Sequence, residues 1–502
     1  MAARRDELGA YTFAKRRTVA AFLRPSPSGT DDGAPAPLRA VVPSIVAGAL
    51  LLAGFGAWGM LQPKAPKGWD TPGTRVVVGK QSTTRYVVLT TGEGKDRRTL
   101  LHPVLNLASA RLLLDPSAFD VVQVDDEVLD AGRPPRGPIL GIPYAPDRLP
   151  TEDEAGRAKR WAVCAQPGGS ATASVQKAAF VLAERDFPRT EGRGRKLAAG
   201  EVLYVKGQKG ALRYLVDATG TKYQVRGAPA ESAHLATVLV GVNREPQSVT
   251  DDWLATLHTG SPVDFPVLPG RVGAPAGIGG GLSETEDRVG MVLRAGTGAG
   301  PQHYVVLPGK VQPVSDFTAW LLVHSPQTQA LDMDGRPTEV GSADFPPDTT
   351  AFGTEHRWPV GRVRQVNGTD GEGARDTVCS VLRAVDGKGR TTLSTWAGTE
   401  YPAEIAAGGP GTYVTPGSGL LYTQVRSGGT GSDGSLFLVT DTGLRYAVRT
   451  NGEGQAGEIR SEARIRLGYG DVTPALVPAA WSDFLSKGPR LDTDGARRPQ
   501  GS

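Results

Sequence analysis

The chain has 502 residues, of which 39 % are hydrophobic and 22 % charged, and its formal net charge is +4. That hydrophobic share is ordinary for globular protein and excludes a multi-span transporter. The small net charge, with no basic run interleaved with aromatics, excludes a nucleic-acid binder. The length calls for two or more folded units. Abundant glycine (66) and proline (39) beside few aromatics (6 %) favour many short strands and turns over long helices.

Residues 1–39 carry seven basic side chains (Arg4, Arg5, Lys15, Arg16, Arg17, Arg24 and Arg39) against four acids. Within them, residues 6–24 have helical spacing, with Leu8, Tyr11, Ala14, Val19, Phe22 and Leu23 apolar. Such a basic amphipathic segment suits either anionic headgroups or a cytoplasmic partner. Residues 25–37 read as a flexible spacer. Val41 to Leu61 is an uncharged, mostly apolar run of 21 residues, enough to cross roughly 30 Å of hydrocarbon at about 1.5 Å per residue. Gly48, Gly54 and Gly56 either mark a contact face for another helix or are simply tolerated there. Trp58 falls where a ring prefers the membrane interface. The forty residues ahead of the run are too many for a cleaved signal peptide. The basic flank places residues 1–40 in the cytoplasm and everything after the helix outside. The two cysteines, Cys164 and Cys379, both follow this helix. In an oxidising compartment an even count favours one disulfide over two unrelated buried thiols.

Beyond a stalk at 62–74, four strand segments resemble one another: Tyr86–Val88, Tyr214–Val216, Tyr304–Val306 and Phe437–Val439. Residues 214–225 and 437–448 agree at six of twelve positions and read as hairpins with a Thr-Gly turn. Each is followed by a second strand and a short helix containing Trp253 or Trp481. The corresponding helices of the first and third segments are expected at Val104–Leu114 and Ser315–Val323. The segments begin at 86, 214, 304 and 437, so their spacings of 128, 90 and 133 residues exclude a solenoid of fixed period. Each long gap holds one cysteine. The expected architecture is therefore α+β: one transmembrane helix, then an elongated extracytoplasmic domain. That domain has repeats at 75–115, 201–270, 285–330 and 411–487, and a disulfide-linked central core from 116–200 and 331–410. Two pseudo-equivalent halves, each a pair of repeats interrupted by an insert, follow from this spacing. Gly-rich linkers are expected at 271–284 and 407–411, and a disordered tail at 488–502.

No catalytic constellation emerges, and no metal or cofactor site is expected. The six histidines form neither HExxH nor a zinc spacing, and there is no GxSxG elbow. Residues 73–81, GTRVVVGKQ, superficially suggest a phosphate-binding loop. Five residues separate the glycines instead of four, however, and Gln81 follows Lys80 where Ser or Thr would meet Mg²⁺. The most distinctive string is LHPVLNLASARLLL (101–114). It reads as a helical core face with Asn106 and Ser109 capping or packing, and with His102 in a turn.

At this string the chain resembles EccB, a membrane core component of type VII (ESX-type) secretion systems. That family carries a similar HPVxNLxSARL motif, matched by His102, Pro103, Val104, Asn106, Leu107, Ser109, Ala110, Arg111 and Leu112. RGPILGIPYAP (136–146) is similar to a second family motif, with Tyr144 where glycine is usual. WAVC (161–164) is similar to a third, carrying the first cysteine, with Ala165 where aspartate is common. YTFAKRR (11–17) looks like the family's short cytoplasmic helix. The resemblance implies a non-catalytic structural subunit that assembles with EccC-, EccD- and EccE-like proteins. It also implies self-association and contact of the mycosin protease with the outer face. Some family members are labelled ATPases, a label the missing phosphate-binding loop does not support. The alternatives are an extracytoplasmic ATP hydrolase and a cell-wall-binding module.

Overall fold

A computed structural model describes residues 4–23, 38–61, 65–92, 96–168, 174–192, 194–210, 212–298, 300–368, 374–405, 411–426, 434–449 and 462–500. The spacer at 25–37 and most of the linker at 407–411 lie outside the described residues. Two long helices open the chain, Arg4–Leu23 and Leu38–Leu61. In the first, Phe13 sits about 140° round the helix from Leu8, and Lys15 interrupts the stripe of Leu8, Val19 and Leu23. All these apolar side chains are exposed, and the expected amphipathic face is poorly segregated. The second helix has 24 residues. Its side chains are described only for residues 41–56, and among the described residues no helix is long and apolar enough to cross a membrane.

Among the described residues the rest of the chain forms five sheets. Four are copies of one plan: three antiparallel strands, a helix, then a short fourth strand parallel to the first. In the first unit these are Arg75–Gly79, Arg85–Thr91 and Arg98–Pro103, the helix Leu107–Leu113, and Asp120–Val124. The second unit has strands Glu201–Gly207, Arg213–Asp217 and Thr221–Gln224, the helix Pro229–Val240, and Gln247–Val249. The third has Val292–Thr297, Gly300–Leu307 and Lys310–Val314, the helix Asp316–Val323, and Thr338–Val340. The fourth has Gly419–Val425, Ser435–Thr440 and Leu444–Ala447, the helix Glu462–Arg466, and Ala475–Pro478.

This plan corrects two expectations. The helices holding Trp253 and Trp481 are not the repeat helix, because both follow the fourth strand. The fourth strands at 120–124 and 338–340 also carry the first and third units past the boundaries at 115 and 330. These strands are three to five residues long, too short to show an alternating pattern.

The two inserts build the fifth sheet together with the strand Thr412–Val414, which runs parallel to Gln176–Leu182 and lies past the expected start of the fourth repeat at 411. The hairpin Arg160–Gln166 with Gln176–Leu182 lies beside the hairpin Thr377–Val385 with Thr391–Gly398. Cys164 and Cys379 face each other in register, with Cα atoms 4.0 Å apart and a disulfide between them. Trp161, Val163, Ala179 and Val181 on one face pack against Leu203, Val205 and Trp253 of the second unit and Tyr422, Val439 and Trp481 of the fourth. Trp253 Nε1 donates to the Val163 carbonyl at 3.0 Å. The disulfide lies on the other face with Phe180, Val381 and Trp396.

The outer units pack crosswise. The first unit shares a core with the fourth, through Leu112 and Leu113 against Leu421, Tyr446, Leu467 and Tyr469. The third reaches the second, where Phe317 and Leu321 join Tyr204, Leu235 and Leu239. Each half of the chain therefore places its first unit on the other half's second.

The tail at 488–500 is ordered. Leu491 and Ala496 are fully buried in the core shared by the first and fourth units. Asp492 caps the helix Thr493–Arg497, accepting from the Gly495 amide. Its glycine, proline and charge content resembles a disordered segment, but partners far away in sequence hold it. The stretch 271–284 is likewise folded, with Ala276 in the core of the third unit. From Ala65 the stalk packs onto the first unit, with Trp69 against its sheet.

Candidate functional site

The motif at 102–112 is built into a clamp. Asn106 follows the strand Arg98–Pro103 and caps the helix Leu107–Leu113. Its Oδ1 accepts from the Ser109 amide at 2.9 Å and from Ser109 Oγ at 2.7 Å, and its Nδ2 donates to the Ile142 carbonyl at 2.8 Å. Ser109 Oγ in turn accepts from the Ile142 amide at 2.8 Å. Asn106 and Ser109 are buried, so this closed network satisfies groups that water cannot reach. It seizes the second motif, 136–146, at its centre. Leu140 is bridged to Val104. His102 Nδ1 donates to the Pro138 carbonyl at 2.9 Å. Gly137 is required beside it, since a Cβ there would lie 2.4 Å from the imidazole. The tail closes the same segment from outside, where Gln500 Nε2 donates to the Gly141 carbonyl at 2.7 Å.

Arg111 joins the first unit to the fourth. Its Nη1 donates to the Leu467 carbonyl at 2.9 Å, just past the helix Glu462–Arg466. Arg466 Nη1 donates to the Leu114 carbonyl at 2.6 Å, at the end of the helix Leu107–Leu113. Each arginine thus caps the C-terminal end of the other helix. Burial lowers the Arg111 pKa from its ordinary value, and the guanidinium lies over the Phe119 ring, 4.2 Å from its centroid. Gly468, at φ +87°, leaves room for that side chain.

Tyr144, where the second family motif usually has glycine, adopts φ +62° and is 89 % exposed. A side chain in this left-handed region costs roughly 1–2 kcal/mol, while glycine forfeits about 0.5–1 kcal/mol of chain entropy. Tyr144→Gly is therefore expected to stabilise the first unit by up to about 1 kcal/mol. A rise in the unfolding temperature checks it.

The segment resembling a phosphate-binding loop is occupied by the protein itself. Residues 75–79 are a strand. The amides of Gln81 and Ser82 both donate to Asp126 Oδ2, at 2.9 and 2.8 Å, and Ser82 Oγ donates to Oδ1 at 2.7 Å. Lys80 pairs with Asp125 at 2.9 Å. These bonds hold the Asp126 pKa below the usual carboxylate range, with the Ser82 side chain contributing most. The turn binds a carboxylate from 45 residues along the chain, and sequence spacing gave no sign of that partner. Among the described residues no group of three or more His, Cys, Asp or Glu is placed to hold a metal ion. A cleft of about 520 Å³ between the second and fourth units is lined by Lys177, Asp252, Asp483 and Phe484. Its charges are paired within the protein, Lys177 with Asp252 and Asp483 with Arg445.

Four cross-packed copies of one small unit around a disulfide-bonded sheet, preceded by a 24-residue helix, define a repeat-built protein. Its distinctive motifs join its own parts together. The family described as type VII secretion system ESX-1, transport TM domain B, EccB, matches residues 1–501, and the chain belongs to it. The protein named ESX-3 secretion system ATPase EccB3 of Mycobacterium tuberculosis H37Rv is 26 % identical over 422 residues, covering 78 % of this chain and 72 % of the relative. The protein named ESX-5 secretion system ATPase EccB5 of M. tuberculosis CDC 1551 is 25 % identical over 520 residues, covering 97 % and 91 %. Among solved structures, a chain of an intact ESX-5 inner membrane complex aligns with a TM-score of 0.58 at 21 % identity, over 100 % of this chain and 96 % of that one. An EccB3 dimer from the ESX-3 core complex aligns at 0.57 and 22 %, over 84 % and 99 %. These structures share the fold.

Proposed function

We propose that this chain is a non-catalytic structural subunit of a type VII secretion membrane complex. In this reading residues 1–40 lie in the cytoplasm, residues 41–61 of the helix Leu38–Leu61 span the membrane, and the four units and central sheet form an assembly surface outside. At about 1.5 Å per residue this stretch measures about 32 Å, enough for a hydrocarbon core of about 30 Å. The observation that carries the reading is the use made of the motifs. His102, Asn106, Ser109 and Arg111 all bond to this chain's own backbone or to one another, leaving a braced body rather than a reaction centre. Pro103 ends the strand that carries His102 and precedes the other three. The partners are EccC-, EccD- and EccE-like subunits, a second copy of the chain, and the mycosin protease at the outer face.

Affinity purification of the tagged full chain from gently solubilised membranes, with mass spectrometry of what accompanies it, tests this. Near-stoichiometric recovery of those subunits is expected, and recovery of the chain alone would refute assembly.

The word ATPase in the relatives' names supplies the rival reading. Lys80 is salt-bridged at the surface, where such pairs contribute about 0–1 kcal/mol. Lys80→Ala is accordingly expected to leave stability nearly unchanged and to abolish no phosphate release by the purified chain. A hydrolysis activity lost on that substitution would favour the enzyme.

A further inference from the structure

On the disulfide face of the central sheet, three cations converge on one carboxylate. Arg160 Nη1 donates to Glu191 Oε1 at 2.6 Å, and Arg383 Nη1 reaches the same oxygen at 2.5 Å. Lys196 Nζ holds Oε2 at 2.8 Å. Among the described residues no other carboxylate pairs with any of the three. Arg160 is only 9 % exposed, and its guanidinium is stacked over Phe187 at 4.1 Å. Its Nη1 also meets the Phe187 carbonyl and Thr190 Oγ1, both at 3.1 Å, while its buried Nε has no hydrogen-bond partner. Lys196 and Arg383 stand at the rim, with side chains 36 % and 25 % exposed. Arg383 Nη1 also lies 3.3 Å from Ser394 Oγ. Charges withdrawn from water require compensation, and two arginines with a lysine suit a phosphate-type oxyanion.

We infer that Arg160, Lys196 and Arg383 form a receptor for a phosphate oxyanion, with Glu191 as its internal competitor. Free phosphate and the phosphodiester of an anionic lipid share the chemistry that these groups recognise. Burial raises the Glu191 pKa and the bonds from Lys196 and Arg383 lower it, with a net shift downward, so the competitor is anionic at neutral pH.

The test uses the full chain in detergent. Inorganic phosphate and short-chain phosphatidylglycerol below its micellar concentration are titrated separately by calorimetry, against chloride at matched ionic strength. Binding of either probe is expected, and the tighter one identifies the source. Arg383→Gln and Lys196→Gln should each weaken binding about tenfold with the fold intact by circular dichroism, whereas Glu191→Gln should tighten it. If Glu191→Gln fails to fold, the two rim variants still decide. No binding of either probe to the wild-type chain, or binding unchanged in both rim variants, overturns the inference.

Discussion

Replacing both cysteines, as Cys164→Ala with Cys379→Ala, is expected to lower the stability of the extracytoplasmic part by about 5 kcal/mol without changing its topology. The bond closes a loop with a sequence separation of 215 residues. In the chain-entropy model such a cross-link removes about 5 kcal/mol of freedom from the unfolded chain. The two strands are already antiparallel neighbours over five register pairs from Val378–Ala165 to Leu382–Trp161, so their ladder persists when the sulfurs are gone. Urea denaturation followed by tryptophan fluorescence reads the loss, and Trp396, directly opposite Cys379 in the sheet, lies close enough to report it. Both cysteines are fully buried. Dithiothreitol should therefore leave the bond intact in the folded protein and cleave it rapidly once urea has unfolded the sheet. Equal reduction rates in the two states would mean that the central sheet opens locally.

What the sequence disclosed depended on how far apart the interacting groups lie along the chain. The hairpins at 213–224 and 435–447 were legible because each is local: a Thr-Gly turn between alternating strands. The helix start at Ser315 was legible for the same reason, since its cap bonds three residues ahead, whereas the first unit's helix, expected from Val104, begins only after its cap Asn106. The pairing of cysteines was signalled by their even number and their places in the two long gaps. The crosswise packing was not legible. Arg111 and Leu467 are 356 residues apart, and neither residue type at either site announces the other. The same holds for Asp126 beneath the turn at 80–82, and for Glu191 between Arg160 and Arg383. The fourth strands failed for a different reason, being too short to carry a period. The tail failed because composition describes an isolated segment, whereas Leu491, Ala496 and Gln500 are ordered by the first and fourth units. The motif residues were visible as a string, but their role became apparent only when 102–111 and 136–146 were seen to share one network.

That network supplies the second large effect. Asn106→Ala is expected to destabilise the first unit by about 3 kcal/mol. Loss of a helix N-cap costs about 1 kcal/mol. The substitution also leaves the Ile142 carbonyl without its side-chain donor and Ser109 Oγ without its acceptor, each worth about 1 kcal/mol or more when buried. Ser109→Ala removes the acceptor of the Ile142 amide as well as the bond to Asn106, and should cost about 2 kcal/mol by the same reasoning. Because the two side chains share a bond, the double variant should cost less than the sum of the single ones. Hydrogen exchange measured by mass spectrometry locates the damage: protection should fall across 136–147 and at the tail pinned to it, and should remain unchanged in the second and third units. Additive costs would show that the two side chains act independently, and loss of protection spread evenly over all four units would show that Asn106 supports the whole body instead of clamping this one segment. If protection is lost only locally, the same variant should still carry an intact central sheet and disulfide. Any failure to recover partner subunits with it would then trace to the first unit, the one that follows the helix Leu38–Leu61.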